Sequence, residues 1–179
     1  IQKNGEYRNL IHKMEEKNVD TEIALPKGLN ANLRNYQIVG YQWLKVLDEY
    51  QFGGILADDM GLGKTIQLLA VIQSYIENEK NPKPSIVVCP SSLTLNWKNE
   101  AEKFTKELKV SVIQGGTEER KQRIREIPEQ NLVITSYDLL KRDIELYQKA
   151  DYDFQYIIAD EAQYIKNNNT QNAKAIKEI

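Results

Sequence analysis

Short apolar runs alternate along this chain with longer amphipathic stretches. The runs Gly54–Ala57, Ser85–Cys89, Val110–Ile113, Leu132–Thr135 and Tyr156–Ala159 are bounded by glycine, proline or polar residues. Unbroken apolar content of this length predicts buried strands. The stretches between them carry apolar residues three and four apart, the helical period. Leu33–Tyr50 sets Tyr36, Val39, Gly40, Trp43, Leu44 and Leu47 on one side, and Leu93–Phe104 aligns Leu93, Trp97, Ala101 and Phe104. A further helix is predicted over Lys64–Glu79, ended by Asn81-Pro82-Lys83-Pro84. Thr117 and Ser136 can cap helices reaching Ile127 and Lys149, and Thr170 can start a last one. Near the N-terminus, Glu6–Asn18 reads as a helix and Leu25-Pro26-Lys27-Gly28 as a linker. The expected organisation is residues 1–27 as helix and linker, and 28–179 as the main lobe.

Strands alternating with helices predict an α/β fold, a mostly parallel sheet with helices on both faces and right-handed crossovers. Ligands of such sheets bind outside the carboxyl ends of the strands. Gly61–Thr65, Pro90-Ser91-Ser92, Gly115-Gly116, Thr135-Ser136-Tyr137 and Asp160-Glu161 all fall at those ends.

The strongest chemical signal is Gly53-Gly54-Ile55-Leu56-Ala57-Asp58-Asp59-Met60-Gly61-Leu62-Gly63-Lys64-Thr65. An apolar run stops at a glycine-containing loop that ends in Gly-Lys-Thr and enters a helix. Gly61 and Gly63 let the backbone turn and present N–H groups in one direction. The helix start adds a positive dipole end. Lys64 can bring a cation to the β and γ phosphates, and the Thr65 hydroxyl is a hard ligand for Mg²⁺. Asp58 stands where a generic phosphate loop has its first glycine. A second site lies at Asp160-Glu161. Asp160 can hold Mg²⁺ through a water, and Glu161 can orient and deprotonate an attacking water. The ligand class is therefore a nucleoside triphosphate with Mg²⁺.

Composition narrows the partners. With 179 residues, 41% hydrophobic and 28% charged, the chain can bury a core as one soluble domain. No apolar run approaches membrane-spanning length, so no membrane partner is expected. Cys89, the single cysteine, excludes an internal disulfide and fits a reducing compartment such as the cytoplasm. His12 is the single histidine, which removes histidine-based metal or triad chemistry. A net charge of −2 argues against a whole-surface grip on nucleic acid, so any such contact must be local.

The string Ile55 to Thr65 resembles the nucleotide loop of the Swi/Snf-type (sucrose-non-fermenting) DNA-dependent ATPases of helicase superfamily two, in which Asp58 belongs to the pattern. Leu33–Leu44 resembles that family's upstream glutamine segment, Val88–Glu100 its next motif, and Ile134–Asp138 a later one; the matches span Leu25 to Asn167. The resemblance implies the first RecA-like lobe of a DNA translocase. Gln37 would read the adenine edge. The nucleotide would also meet Asp58, Met60, Gly61, Leu62, Gly63, Lys64 and Thr65. Thr65 and Asp160 would serve the metal, and Glu161 the hydrolysis. Loops at Ser91, Gly115 and Thr135 would touch the backbone of one strand of double-stranded DNA, without reading sequence. Trp97, by its spacing, is expected to pack in the core.

Two positions depart from the family pattern. Gln163 stands where histidine is usual, so it cannot take a charge, and Asn35 stands where proline is common. The resemblance further implies a strand between the phosphate-loop strand and the acidic strand, and a second RecA-like lobe with arginines that complete the site. Neither falls within residues 1–179, so a gap beside the catalytic strands and little turnover by this chain alone are expected. An RNA helicase lobe and a nucleotide-binding interaction module without turnover remain the alternatives.

Overall fold

The structure, a computed structural model, describes residues 23–57, 61–150 and 152–179. The expected helix Glu6–Asn18 lies outside the described residues.

Among the described residues, four of the five apolar runs become strands and the periodic stretches become helices. In chain order the elements are α1 (Asn35–Glu49), α2 (Lys64–Asn78), β1 (Ser85–Cys89), α3 (Thr94–Phe104), β2 (Val110–Val112), α4 (Thr117–Arg125), β3 (Leu132–Ser136), α5 (Tyr137–Gln148), β4 (Ile157–Ala159) and α6 (Gln171–Lys177). Short 3₁₀ turns at Ser91–Leu93, Ile127–Glu129 and Ala162–Ile165 complete the path. One of the two expected caps forms, and Thr170, expected to start the last helix, caps it. Ser136 accepts from the Leu139 N–H and Thr170 from the Ala173 N–H. Thr117 is instead the first residue of α4, behind Gly116.

Among the described residues the sheet has four strands, ordered β2-β3-β1-β4 and all parallel. Val87 pairs with Ile134 on one side and Ile158 on the other. Successive strand residues point to opposite faces, and two cores result. Ile86, Val88 and Val133 pack with Ile124, Leu140 and Tyr147 under α4, α5 and α6. Val87, Leu132 and Ile134 pack with Leu69, Ile72 and Trp97 under α2 and α3. Helices cover both faces, giving the expected RecA-like α/β fold. No helix among the described residues is long and apolar enough to cross a membrane.

The expected strand Gly54–Ala57 does not form. These residues run unpaired beside α1, and Ile55 is 81% exposed. A strand needs a ladder partner for its N–H and C=O groups. The neighbouring edge is β4, whose outer side is open, with Ile157 41% exposed. A groove of about 500 Å³ separates the two, lined by Leu47, Phe52, Gly54, Val71, Tyr156 and Ile158. The groove lies where the resemblance implies an intervening strand.

The segment read as a linker is anchored. Tyr41 donates its hydroxyl to the Ala24 carbonyl at 3.0 Å, and Leu25 and Leu29 pack against Tyr41, Ala70 and Val71. Glu77 accepts hydrogen bonds from the Lys27 and Gly28 N–H groups and from Gln73. Burial alone would raise this carboxyl, but those bonds outweigh it and hold the group below the usual carboxylate range. The folded value lies below the unfolded one of about 4.3. The stabilisation from Glu77 is therefore present above that pH and is lost as pH falls through the folded value. Glu77→Gln should lower the urea midpoint at pH 7, and the gap to wild type should close below about pH 4. A gap that stays constant with pH would contradict this.

Candidate nucleotide site

α2 leads through residues 79–84 into the N-terminal end of β1. Its own N-terminus therefore lies toward the carboxyl end of the sheet, the rim where β1, β3 and β4 also end. Gly61 and Gly63 hold φ of 82° and 77°, a left-handed conformation that suits glycine. Gly63 is the N-cap of α2 and supplies no side-chain cap, so the first turn of the helix presents backbone N–H groups. Lys64 and Thr65 sit half-buried in that turn. Asp58 and Met60, expected to complete the loop, lie outside the described residues.

Gln37 belongs to this loop. Its Nε2 donates to the Leu62 carbonyl at 3.0 Å, and its Oε1 accepts from the Arg34 N–H at 2.9 Å. The Tyr36 hydroxyl donates to the same Leu62 carbonyl at 3.1 Å. A Cβ on Gly63 would lie 2.4 Å from Gln37 Nε2, so a side chain there would displace that amide, and the positive φ of 77° itself favours glycine. The amide expected to read adenine is thus engaged at both ends in holding the loop that carries Leu62.

The acidic pair follows β4. Asp160 accepts from the Trp97 indole N–H at 2.8 Å through one carboxylate oxygen and from the Glu161 N–H at 2.9 Å through the other. Its carbonyl accepts from the Tyr137 hydroxyl at 2.7 Å. Glu161 adopts a left-handed conformation, φ 53° and ψ 57°, which costs an L-residue about 1 kcal/mol. Gln163 donates its amide to the Glu161 carboxylate. The residue that replaces the usual histidine therefore orients Glu161 without carrying charge.

Burial first, then the nearby Asp160 charge, push the Cys89 thiol up to about 12. The thiol stays protonated, in keeping with a core role. The same two causes, in the same order, push the Tyr137 hydroxyl well above the ordinary phenol value, so it remains a donor to Asp160.

The three rim positions expected at DNA differ in access. Ser91 and Gly115 are exposed, and Gly115 holds a positive φ of 93°. Thr135 is 0% exposed, packed within β3 between β1 and β2, so its side chain does not reach the rim surface. That expectation is corrected: a residue at the end of an interior strand is covered by the helices on both faces.

Trp97 is 2% exposed, the core residue its spacing implied, yet it also touches the acidic site. A signal for this was present. A buried indole must find an acceptor for its N–H, and the helix carrying Trp97 offers none on its apolar face.

Comparison with known proteins bears on the family and the fold. The family described as SNF2-related domain matches residues 36–179. An uncharacterized ATP-dependent helicase of Mycoplasma pneumoniae is 40% identical over 171 residues, which cover 94% of this chain and 16% of that protein. The TATA-binding protein-associated factor MOT1 of Saccharomyces cerevisiae is 37% identical over 183 residues, covering 96% of this chain and 10% of that protein. The chain thus spans a small part of the curated relatives it matches. Among solved structures, the Sulfolobus solfataricus SWI2/SNF2 ATPase core in complex with dsDNA superposes with a TM-score of 0.76 at 39% identity, covering 88% of this chain and 32% of that one.

Proposed function

Since the chain belongs to the SNF2-related domain family, we propose that it is the ATP-binding first lobe of a motor that moves on double-stranded DNA. The observation that carries this reading is the uncapped N-terminus of α2, led by Gly61 and Gly63 in left-handed conformation and bearing Lys64 and Thr65. That start faces the rim on which Asp160 and Glu161 also lie.

The residues fit ATP with Mg²⁺. Backbone N–H groups at a helix start suit phosphate oxygens. Among the described residues no cluster of three or more His, Cys, Asp or Glu side chains could hold a metal. Mg²⁺ is commonly held by one or two carboxylates together with substrate phosphates, and Asp160 and Glu161 supply two adjacent carboxylates after β4. When bound, ATP–Mg²⁺ supplies the phosphoryl group and neutralises its charge. Lys64 would pair with the β and γ phosphates, and the Thr65 hydroxyl and Asp160 would serve the metal. Glu161, oriented by Gln163, would take a proton from the attacking water. Gln37 and Tyr36 would keep the loop in its receiving shape through Leu62, and Asp58 and Met60 would complete that loop.

For DNA, Ser91 and Gly115 offer a hydroxyl and backbone N–H groups at the rim, the neutral contacts that position a phosphate backbone. Thr135 is left out of this set because it is buried. With a net charge of −2, the contact is local. A second RecA-like lobe would supply the remaining charge at the phosphates.

ATP hydrolysis by the full-length protein, measured with duplex DNA and with RNA of equal length, tests the reading. Duplex DNA should raise turnover severalfold and RNA should not. Equal stimulation by RNA would move the assignment to an RNA helicase lobe. ATP binding with no hydrolysis under either condition would mark an interaction module.

A further inference from the structure

We propose that Trp97 and Tyr137 are positioning residues that set the orientation of Asp160 for its metal. The inference rests on the reading of Asp160 as the carboxylate that serves Mg²⁺.

An aspartate at a strand end can rotate about both side-chain torsions, and its terminal torsion is broad. Here both oxygens are engaged by donors that cannot easily move. The Glu161 N–H is backbone. The Trp97 indole is 2% exposed and wedged with Leu69, Ile72 and Ile134 in the core between α2, α3 and the sheet. An indole N–H is donor only, and its bond to a carboxylate is charge-assisted and short, 2.8 Å here. It fixes one oxygen while leaving that oxygen a second lone pair for a metal or its water.

Tyr137 acts on the backbone of the same residue. Its hydroxyl holds the Asp160 carbonyl at 2.7 Å, and its ring stacks on Tyr164 with centroids 5.3 Å apart and planes 7° from parallel. Tyr164 lies in the 3₁₀ turn after Glu161. One tyrosine thus braces the acidic pair from both sides. The two donors come from different elements: Trp97 from α3, which follows the Ser91–Leu93 turn, and Tyr137 from the start of α5.

A Mn²⁺ titration followed by electron paramagnetic resonance, on the full-length protein saturated with ADP, reads this directly. Trp97→Phe keeps a buried aromatic ring and removes the N–H. Partners that orient a metal ligand typically change metal affinity 10–100-fold, so Trp97→Phe should weaken Mn²⁺ binding about tenfold. Tyr137→Phe loses one neutral bond and should weaken it about fivefold. Affinity for ADP in the presence of EDTA should stay at the wild-type value in both, which a general loss of structure would not allow. Asp160→Asn is the reference and should remove most Mn²⁺ binding.

If Asp160→Asn leaves Mn²⁺ affinity unchanged, the reading of Asp160 fails and the inference with it. If Asp160→Asn weakens Mn²⁺ binding while Trp97→Phe and Tyr137→Phe do not, the inference is overturned and the reading of Asp160 stands. Should Trp97→Phe lose metal-free ADP binding through misfolding, Tyr137→Phe decides: unchanged Mn²⁺ affinity overturns the proposal.

Discussion

Glu161→Gln in the full-length protein is expected to lower ATP turnover by about 10²–10⁴-fold, the usual contribution of a positioned general base. The amide matches the carboxylate in size and can still accept from Gln163, so the local turn should persist. It cannot take the proton of an attacking water. ATP affinity should therefore remain near wild type. Lys64→Ala is the contrasting change. It removes the cation at the start of α2, and should abolish turnover while also weakening ATP binding. The pair separates the two roles by equilibrium binding of labelled ATP alongside steady-state hydrolysis. Equal loss of nucleotide affinity in both variants would contradict the assignment.

Arg120→Met is expected to be the most destabilising single change among those considered. Arg120 and Asp143 are 4% and 5% exposed. The guanidinium meets the carboxylate through two bonds, Nε to Oδ2 at 2.6 Å and Nη2 to Oδ1 at 2.9 Å, and donates its third to the Gly115 carbonyl at 2.8 Å. Removing the cation strands a buried carboxylate and an exposed-loop carbonyl together. Breaking a buried pair from one side costs about 3–5 kcal/mol, whereas replacing both partners by apolar groups is often neutral. Chemical denaturation of Arg120→Met should show a loss of that size, and the double variant Arg120→Met/Asp143→Leu should recover most of it. A single variant within about 1 kcal/mol of wild type would show that Asp143 finds water or another donor. Because Arg120 also fixes the Gly115 carbonyl, the single variant should loosen the rim loop proposed to meet DNA.

Much of the fold was legible locally. Ser85–Cys89 and Leu132–Ser136 were legible because an unbroken apolar run of that length is buried on both faces, and each is buried throughout. The helix spans were legible because apolar positions recur at the period of the element, and boundaries fell within a residue or two of the expected ones. The inner face of α1 was not, since Gln37, Tyr41 and Leu47 are buried while Tyr36, Val39 and Trp43, expected inside, are exposed. Gly54–Ala57 misled for the same reason that the others succeeded. Its apolar pattern reports a tendency to be buried in a sheet, and says nothing of whether a partner edge is within reach. In the structure β4 stands across a groove, and Ile55 is left exposed. Thr135 misled in a related way. Its place at a strand end suggested the rim, while its depth between β1 and β2 depended on the order of strands.

The chemistry divides similarly. Gly61, Gly63, Lys64 and Thr65 sit close in sequence because a phosphate loop is one continuous turn into a helix, and its spacing can be read from residues alone. The acidic pair at the end of β4 is legible on the same ground. The partners of these residues are not local. Trp97 reaches Asp160 across 63 positions, Gln37 reaches Leu62 across 25, and Arg120 reaches Asp143 across 23. Residue order by itself determined the alternating α/β plan, the glycine loop leading into α2 and the carboxylate pair after β4, because short-range periodicity and spacing encode them. Only the tertiary structure decided which donors hold those carboxylates and loops, and which rim residues stay open. Those contacts are set by how the crossovers stack α1, α2, α3 and α5 around the sheet, and a hydrogen bond between distant residues forms only once that packing brings a fixed donor to a fixed acceptor.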